Sequence, residues 1–71
     1  MLNPDKRKIL LSMARLGIDR QELIEASDLP PRTLSDVMAG KSVRPKTLGK
    51  VAKALRVDPA ELILEDTRDE G

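Results

Sequence analysis

Apolar residues recur at intervals of three and four along most of this chain, which is the spacing of one face of an α-helix. The clearest run contains Leu48, Val51, Ala52 and Leu55 and predicts an amphipathic helix that begins near Pro45. No segment shows the alternation of apolar and polar residues that a half-buried strand requires. The pattern therefore predicts an all-α protein.

A first helix is predicted over residues 3–16. Asn3 is its expected N-cap, Pro4 suits the first helical position, and Gly17 can adopt the left-handed conformation that ends a helix. Its apolar side is formed by residues at helical spacing: Ile9, Leu10, Met13 and Leu16.

Two short helices are predicted next, with a sharp turn between them. Asp19 and Glu22 have the spacing of a capping box, which begins a second helix of about two turns. Asp28 is expected in a left-handed conformation at its end. A third helix is predicted over residues 31–38, since a proline at position 31 fits the first helical position and Gly40 fits the C-terminal end. This arrangement is a helix-turn-helix.

The C-terminal part of the chain predicts one more helix and a tail. Asp58, Pro59 and Glu61 match the start of a helix, so a short fifth helix carrying residues 62–64 is expected to close the core. Residues 65–71 are charged and lack an apolar pattern, and we expect them to form a flexible tail. These elements together predict a single domain over residues 1–64.

Composition excludes several classes of function. Among 71 residues there is no cysteine, histidine or aromatic residue, which removes thiolate and imidazole catalysis, disulfides and base stacking on aromatic rings. We find no membrane-length apolar run and no signal-peptide pattern. We expect a soluble, intracellular protein that is not an enzyme and carries no cofactor or metal. Four carboxylates could suggest a metal site: Asp58, Glu61, Glu65 and Asp66. Asp58 and Glu61 are better explained as helix caps, and no other ligand type accompanies them.

The small net charge of +1 hides a strong division along the chain. Residues 32–56 contain seven basic residues and one aspartate, a net charge of +6, whereas residues 57–71 contain one arginine and six acidic residues, a net charge of −5. A polyanion would meet the basic block rather than the average.

Residues 19–63 resemble the Cro/CI-type (XRE, lambda-repressor-like) helix-turn-helix family. The matches occur in the family's order and spacing: Glu22-Leu23, Thr33-Leu34-Ser35, Gly40-Lys41, Pro45, Val51-Ala52-Lys53-Ala54-Leu55, Val57 and Leu62. The resemblance implies a lambda-repressor-like five-helix domain whose third helix enters the major groove of DNA. The chain departs from the family pattern at Ile24, Asp28 and Met38, and Pro30 replaces the usual capping serine or threonine.

The resemblance also implies which residues contact DNA. The base-reading candidates lie on the third helix, whose polar side chains we expect to face outward: Pro31, Arg32, Thr33, Ser35 and Asp36. The phosphate-binding candidates lie at the start of the second helix and after the third: Arg20, Gln21, Lys41, Arg44 and Lys46. Arg32 suits a forked contact with guanine, and Asp36 could accept from cytosine or repel wrong sites. For the serine and threonine, an ordinary exposed helix surface is an equal alternative.

The function that this resemblance implies is a sequence-specific regulator of transcription, with a repressor favoured. A homodimer on a palindromic operator is expected, because one small domain reads only a few base pairs. Its apolar contact is expected in the C-terminal region. An origin in a bacterium, a phage or a mobile element is expected, and the protein is expected in the cytoplasm. The alternative is a protein-interaction module, such as an adaptor or an antitoxin that binds a partner protein.

Overall fold

The computed structural model describes residues 2–64. Over this part of the chain it has four α-helices, α1 (Lys6–Leu16), α2 (Arg20–Ser27), α3 (Pro31–Met38) and α4 (Pro45–Leu55), followed by one 3₁₀ turn (Pro59–Glu61). No strand occurs among residues 2–64, so the all-α prediction is confirmed. None of the described helices has the length and apolar character needed to cross a bilayer. The predicted tail, residues 65–71, lies outside the described residues.

The core is organised around α4. Its apolar stripe is buried as predicted, with Leu48 and Val51 fully enclosed. Helix α2 and the 3₁₀ turn pack against α4, while α1 contacts both α3 and α4. Each remaining element adds buried apolar side chains to the same cluster: Ile9, Met13, Leu23, Leu29, Leu34, Val37, Val43 and Leu62. Burial of this cluster is the main source of stability in so small a domain.

The first helix begins later than predicted, with its N-cap two residues further along the chain. Asp5, and not Asn3, is the N-cap, and its Oδ1 accepts hydrogen bonds from the backbone amides of Arg7 at 3.0 Å and Lys8 at 3.4 Å. The backbone just before the helix pairs instead with the segment around Leu62, because the amide of Asp5 donates a hydrogen bond to the carbonyl of Leu62 at 2.7 Å. Pro4 lies in an antiparallel bridge with Ile63 rather than inside the helix.

The apolar side of α1 is also narrower than predicted. Ile9 and Met13 are buried and Leu16 is half-buried, but Leu10 is 53% exposed and lies outside the core. Leu10 is rotated by about 100° about the helix axis from the fully buried Ile9, and this rotation turns its side chain away from the core. Leu10 therefore belongs to the outer side of the helix.

The helix-turn-helix itself forms as predicted. The capping box of Asp19 and Glu22 is complete, with both hydrogen bonds at 2.9 Å. Asp28 has φ of 58° and ends α2 in the left-handed conformation, and Pro31 is the first residue of α3. Gly40, with φ of 83°, lets the chain turn away after α3, a conformation that a residue with Cβ rarely adopts.

The predicted fifth helix does not form. Asp58 does act as a cap, accepting from the amide of Ala60 at 2.9 Å, but only the single turn Pro59–Glu61 follows. Beyond it, Leu62 is buried and Ile63 pairs with Pro4 in an antiparallel bridge. This pairing requires extended backbone, so the helix cannot continue.

Candidate nucleic-acid interface

Helix α3 has an apolar inner side and a polar outer side. Leu34 and Val37 are fully buried, which fixes the rotation of the helix about its axis. Arg32 is consequently exposed near the start of the helix. The prediction that its polar neighbours also face outward holds in part, because these residues are only partly exposed: Thr33, Ser35 and Asp36. The most exposed residues of α3 are therefore its first two, Pro31 and Arg32.

Ser35 is in contact with the start of α2. The Nη2 of Arg20 donates a hydrogen bond to Oγ of Ser35, across 15 positions of sequence. Arg20 is the first residue of α2 and Ser35 lies in the middle of α3, so this bond links the two helices of the helix-turn-helix. Because Oγ accepts from arginine, the hydroxyl proton of Ser35 is left to donate to another acceptor.

Asp36 is in contact with the segment that follows α3. Its Oδ1 lies 3.6 Å from Nζ of Lys41, and the two side chains are 45% and 69% exposed. An ion pair this exposed contributes little to stability, about 0–1 kcal/mol. The pair mainly affects the local charge, because the carboxylate of Asp36 partly balances the positive charge of Lys41.

The segment between α3 and α4 is attached to the N-terminal end of the described chain. Leu2 and Val43 exchange both backbone hydrogen bonds at 2.8 Å, and Oγ of Ser42 donates to Oδ1 of Asn3 at 2.5 Å. This double attachment holds the backbone that carries Lys41 and Arg44. The two supporting residues, Asn3 and Ser42, were not predicted, and no local pattern indicates a contact across 39 positions of sequence.

The remaining phosphate-binding candidates lie at helix starts. Arg44 is the N-cap residue of α4 and Lys46 is in its first turn, and both side chains are exposed. Gln21 is exposed in the first turn of α2, next to Arg20. A polyanion at these positions would meet the positive ends of the helix dipoles of α2 and α4. The start of α3 has no side-chain cap, because Pro30 occupies the capping position.

Two further lysines of the basic block lie elsewhere. Lys50 and Lys53 are exposed on α4 and border a shallow surface depression with Ser27 and Asp28, at the C-terminal end of α2. The candidate site uses the opposite end of α2, where Arg20 lies. The structure thus brings Arg20 together with Ser35 and Lys41 together with Asp36, whereas Lys53 lies beside the end of α2 opposite Arg20.

A family model described as helix-turn-helix matches residues 9–62. The chain therefore belongs to the Cro/CI-type (XRE) helix-turn-helix family, as its sequence resemblance indicated. This is a family of DNA-binding regulators, and the domain described above is a lambda-repressor-like helix-turn-helix with four helices rather than five. Neither a curated protein nor a solved structure matches the chain.

Proposed function

We propose that this protein is a sequence-specific regulator of transcription that acts as a repressor by binding double-stranded DNA through α3. The observation that carries the proposal is the exposed Arg32 on α3, with Arg20 on one flank of the helix and Lys41 on the other. A helix fits the major groove, and cations beside it can bind the phosphates that border the groove.

In this proposal, phosphate contacts set the position of the domain on the duplex. Arg44 and Lys46 supply them from the start of α4, and Gln21 from the start of α2. Lys41 contributes after exchanging Asp36 for a phosphate oxygen. Arg20 keeps further N–H donors after its bond to Ser35, so it can bind a phosphate while orienting that serine.

Base reading is proposed for the residues of α3 that can reach the groove floor. The fork of Arg32 matches O6 and N7 of guanine. Ser35 donates to a base acceptor, because Arg20 already occupies an acceptor position on its oxygen. Asp36 accepts from the amino group of cytosine or excludes sequences that present acceptors there. Thr33 and Pro31 shape the contact at the start of the helix.

The proposed assembly is a homodimer on a palindromic operator in the cytoplasm. An eight-residue α3 can contact only a few base pairs, and two copies one helical turn apart would double the sequence that is read. The proposed action is binding without catalysis and without a cofactor. A repressor of this kind acts by occupying its site on the DNA.

Selection of bound sequences from a random duplex pool tests the proposal. The expected result is one preferred motif with a guanine at the position nearest Arg32. Enrichment of no motif, together with binding that does not depend on salt, would contradict it and would favour the alternative of a protein-interaction module.

A salt titration on random duplex DNA tests the phosphate contacts separately. Lys46→Ala and Arg44→Ala should each reduce the slope of log affinity against log salt by about one unit. Lys53→Ala is the matched control, since it removes the same charge from α4 beside the other end of α2. Equal effects of Lys46→Ala and Lys53→Ala would remove the proposed face from consideration.

A further inference from the structure

The described residues end beside the turn that follows α3. The amide of Leu64 donates a hydrogen bond to the carbonyl of Asn3 at 2.7 Å. The next residue, Pro4, lies against that turn, because a Cβ atom at Gly40 would be 3.8 Å from the carbonyl oxygen of Pro4. Leu64 and Gly40 consequently border one depression of the surface. The residues after Leu64 therefore begin next to the segment that carries Lys41.

Exposed basic side chains lie around this depression. Lys6 and Arg7, in the first turn of α1, border it directly, and Lys41 comes immediately after the glycine on its other side. Asp5 also borders the depression, but its Oδ1 is engaged as the N-cap acceptor of α1. Within residues 2–64, the only ion pair formed by any of these cations is that of Lys41 with Asp36. We call Lys6, Arg7 and Lys41 the basic corner.

The residues that follow Leu64 carry the opposite charge. Residues 65–71, the predicted tail, have the sequence EDTRDEG, with four acidic residues and one arginine, a net charge of −3. They include no apolar side chain that could add to the core. A short covalent connection raises the effective concentration of one group near another to the millimolar range. The chain thus connects an anionic segment directly to the edge of a cationic surface.

The tail is long enough to reach the proposed DNA face. Seven residues extend over at most about 23–25 Å. Helix α3, with eight residues, is only about 12 Å long. A segment that starts beside the C-terminal end of α3 can therefore reach the cations along and after this helix. Carboxylates at these cations would occupy the positions that DNA phosphates take in the proposed complex.

From these observations we infer that residues 65–71 dock on the basic corner and compete with DNA for the cations beside α3. The two anions meet at Lys41, which belongs to the basic corner and is also a proposed phosphate contact. Lys6 and Arg7 hold the tail in the absence of DNA, and a duplex must displace it to bind. The inference rests on the proposed function, since it assigns a competitor to the proposed DNA face.

Amide NMR spectra of the full chain without DNA test the docking itself. The test variant combines Glu65→Gln, Asp66→Asn, Asp69→Asn and Glu70→Gln, which keeps the length of the tail and removes four negative charges. At about 50 mM salt, its amide shifts should differ from those of the wild type at the basic corner. The differences should shrink at about 500 mM salt, because salt screens the attraction. Differences confined to the tail and the residues next to it in sequence would overturn the inference.

Binding to random duplex DNA tests the competition. The same variant should bind at least about threefold more tightly than the wild type at about 50 mM salt, because no tail has to be displaced. The gain should decrease as the salt concentration rises, since the docked tail is itself released by salt. An affinity equal to that of the wild type at low salt would overturn the inference.

A matched pair of double variants separates the competition from a change in net charge. Asp69→Asn with Glu70→Gln removes two charges from the tail. Glu25→Gln with Glu61→Gln removes two charges from exposed positions outside the basic corner. The tail pair should raise the affinity more, and equal gains would overturn the inference. Failure of the wild type to bind any duplex would instead contradict the proposed function, and the NMR comparison would still decide the docking.

Discussion

Helices α1 and α3 have similar inner sides and different outer sides. Ile9 of α1 and Leu34 of α3 are both fully buried, and each anchors its helix to the common core. The outer side of α1 presents Leu10 and Leu11, whereas the outer side of α3 presents Arg32. The inner sides therefore determine the fold, and the outer sides distinguish what each helix can bind.

The difference extends to how each outer side is held. On α3, Ser35 and Asp36 are engaged by polar contacts from neighbouring segments, so the direction of their hydrogen bonds is partly set before any ligand arrives. On α1, the exposed leucines offer apolar contact area but no hydrogen-bonding groups that would orient a ligand. A surface with directed polar groups suits the edges of base pairs, and an undirected apolar surface suits another apolar surface.

The largest expected difference between a substitution on the inner side and one on the outer side is in the stability of the fold. Leu34→Ala removes a fully buried side chain and should lower the free energy of unfolding by about 2–5 kcal/mol. Leu11→Ala, the same change at a side chain that is 63% exposed, should change it by less than about 0.5 kcal/mol. Urea unfolding of both variants, at a concentration where the wild type is monomeric, measures the contrast. Similar losses in the two variants would contradict the division into inner and outer sides.

A smaller effect is expected for the contact between α2 and α3. If Arg20 orients Ser35, then Arg20→Ala and Ser35→Ala should each weaken binding to the selected site by about 1 kcal/mol, and the double variant should lose less than the sum. A double-mutant cycle on the selected duplex measures this coupling. The cycle of Arg20→Ala with Lys46→Ala is the control and should be additive, since these residues lie at the starts of different helices. Additive losses for Arg20 and Ser35 would show that they act independently on DNA.

The smallest expected effect concerns the ion pair on the other flank of α3. Asp36→Asn removes a negative charge from the proposed DNA face and releases Lys41, so affinity for random duplex DNA should rise. Stability should change by less than about 1 kcal/mol, because the pair is exposed. Glu25→Gln, at an exposed carboxylate of α2, is the control for a change in net charge alone. Equal gains from Asp36→Asn and Glu25→Gln would mean that Asp36 has no local role at the site.

Much of the fold could be predicted because its signals are local. The capping box of Asp19 and Glu22 and the proline that begins α3 act within one helical turn, and the stripe of α4 is visible in four residues. The failures have a common physical cause in contacts between distant segments. Asn3 lost the capping role and Ile63 the helical conformation because the two ends of residues 2–64 pair with each other.

The candidate site could be predicted as a set of residues but not as an arrangement. The positions of Arg32, Arg44 and Lys46 follow from helix starts and the family pattern. The hydrogen bond from Arg20 to Ser35 depends on how α2 and α3 pack, and this packing cannot be predicted from a local sequence pattern. The exposure of Leu10 was missed for a related reason, since a helix with apolar residues on two sides has no single inner side until its neighbours are placed.

The most direct test of the central claim, that α3 reads bases through Arg32, is a base-by-base affinity profile on the selected site. Arg32→Ala should weaken binding by about 1–3 kcal/mol and relax the preference at one base position in each half-site. Its folding should be unaffected, since the side chain is exposed. Arg32→Lys should restore general affinity better than the preference, because an ammonium group lacks the fork. An equal loss of affinity for every sequence would contradict the claim and make Arg32 a phosphate contact.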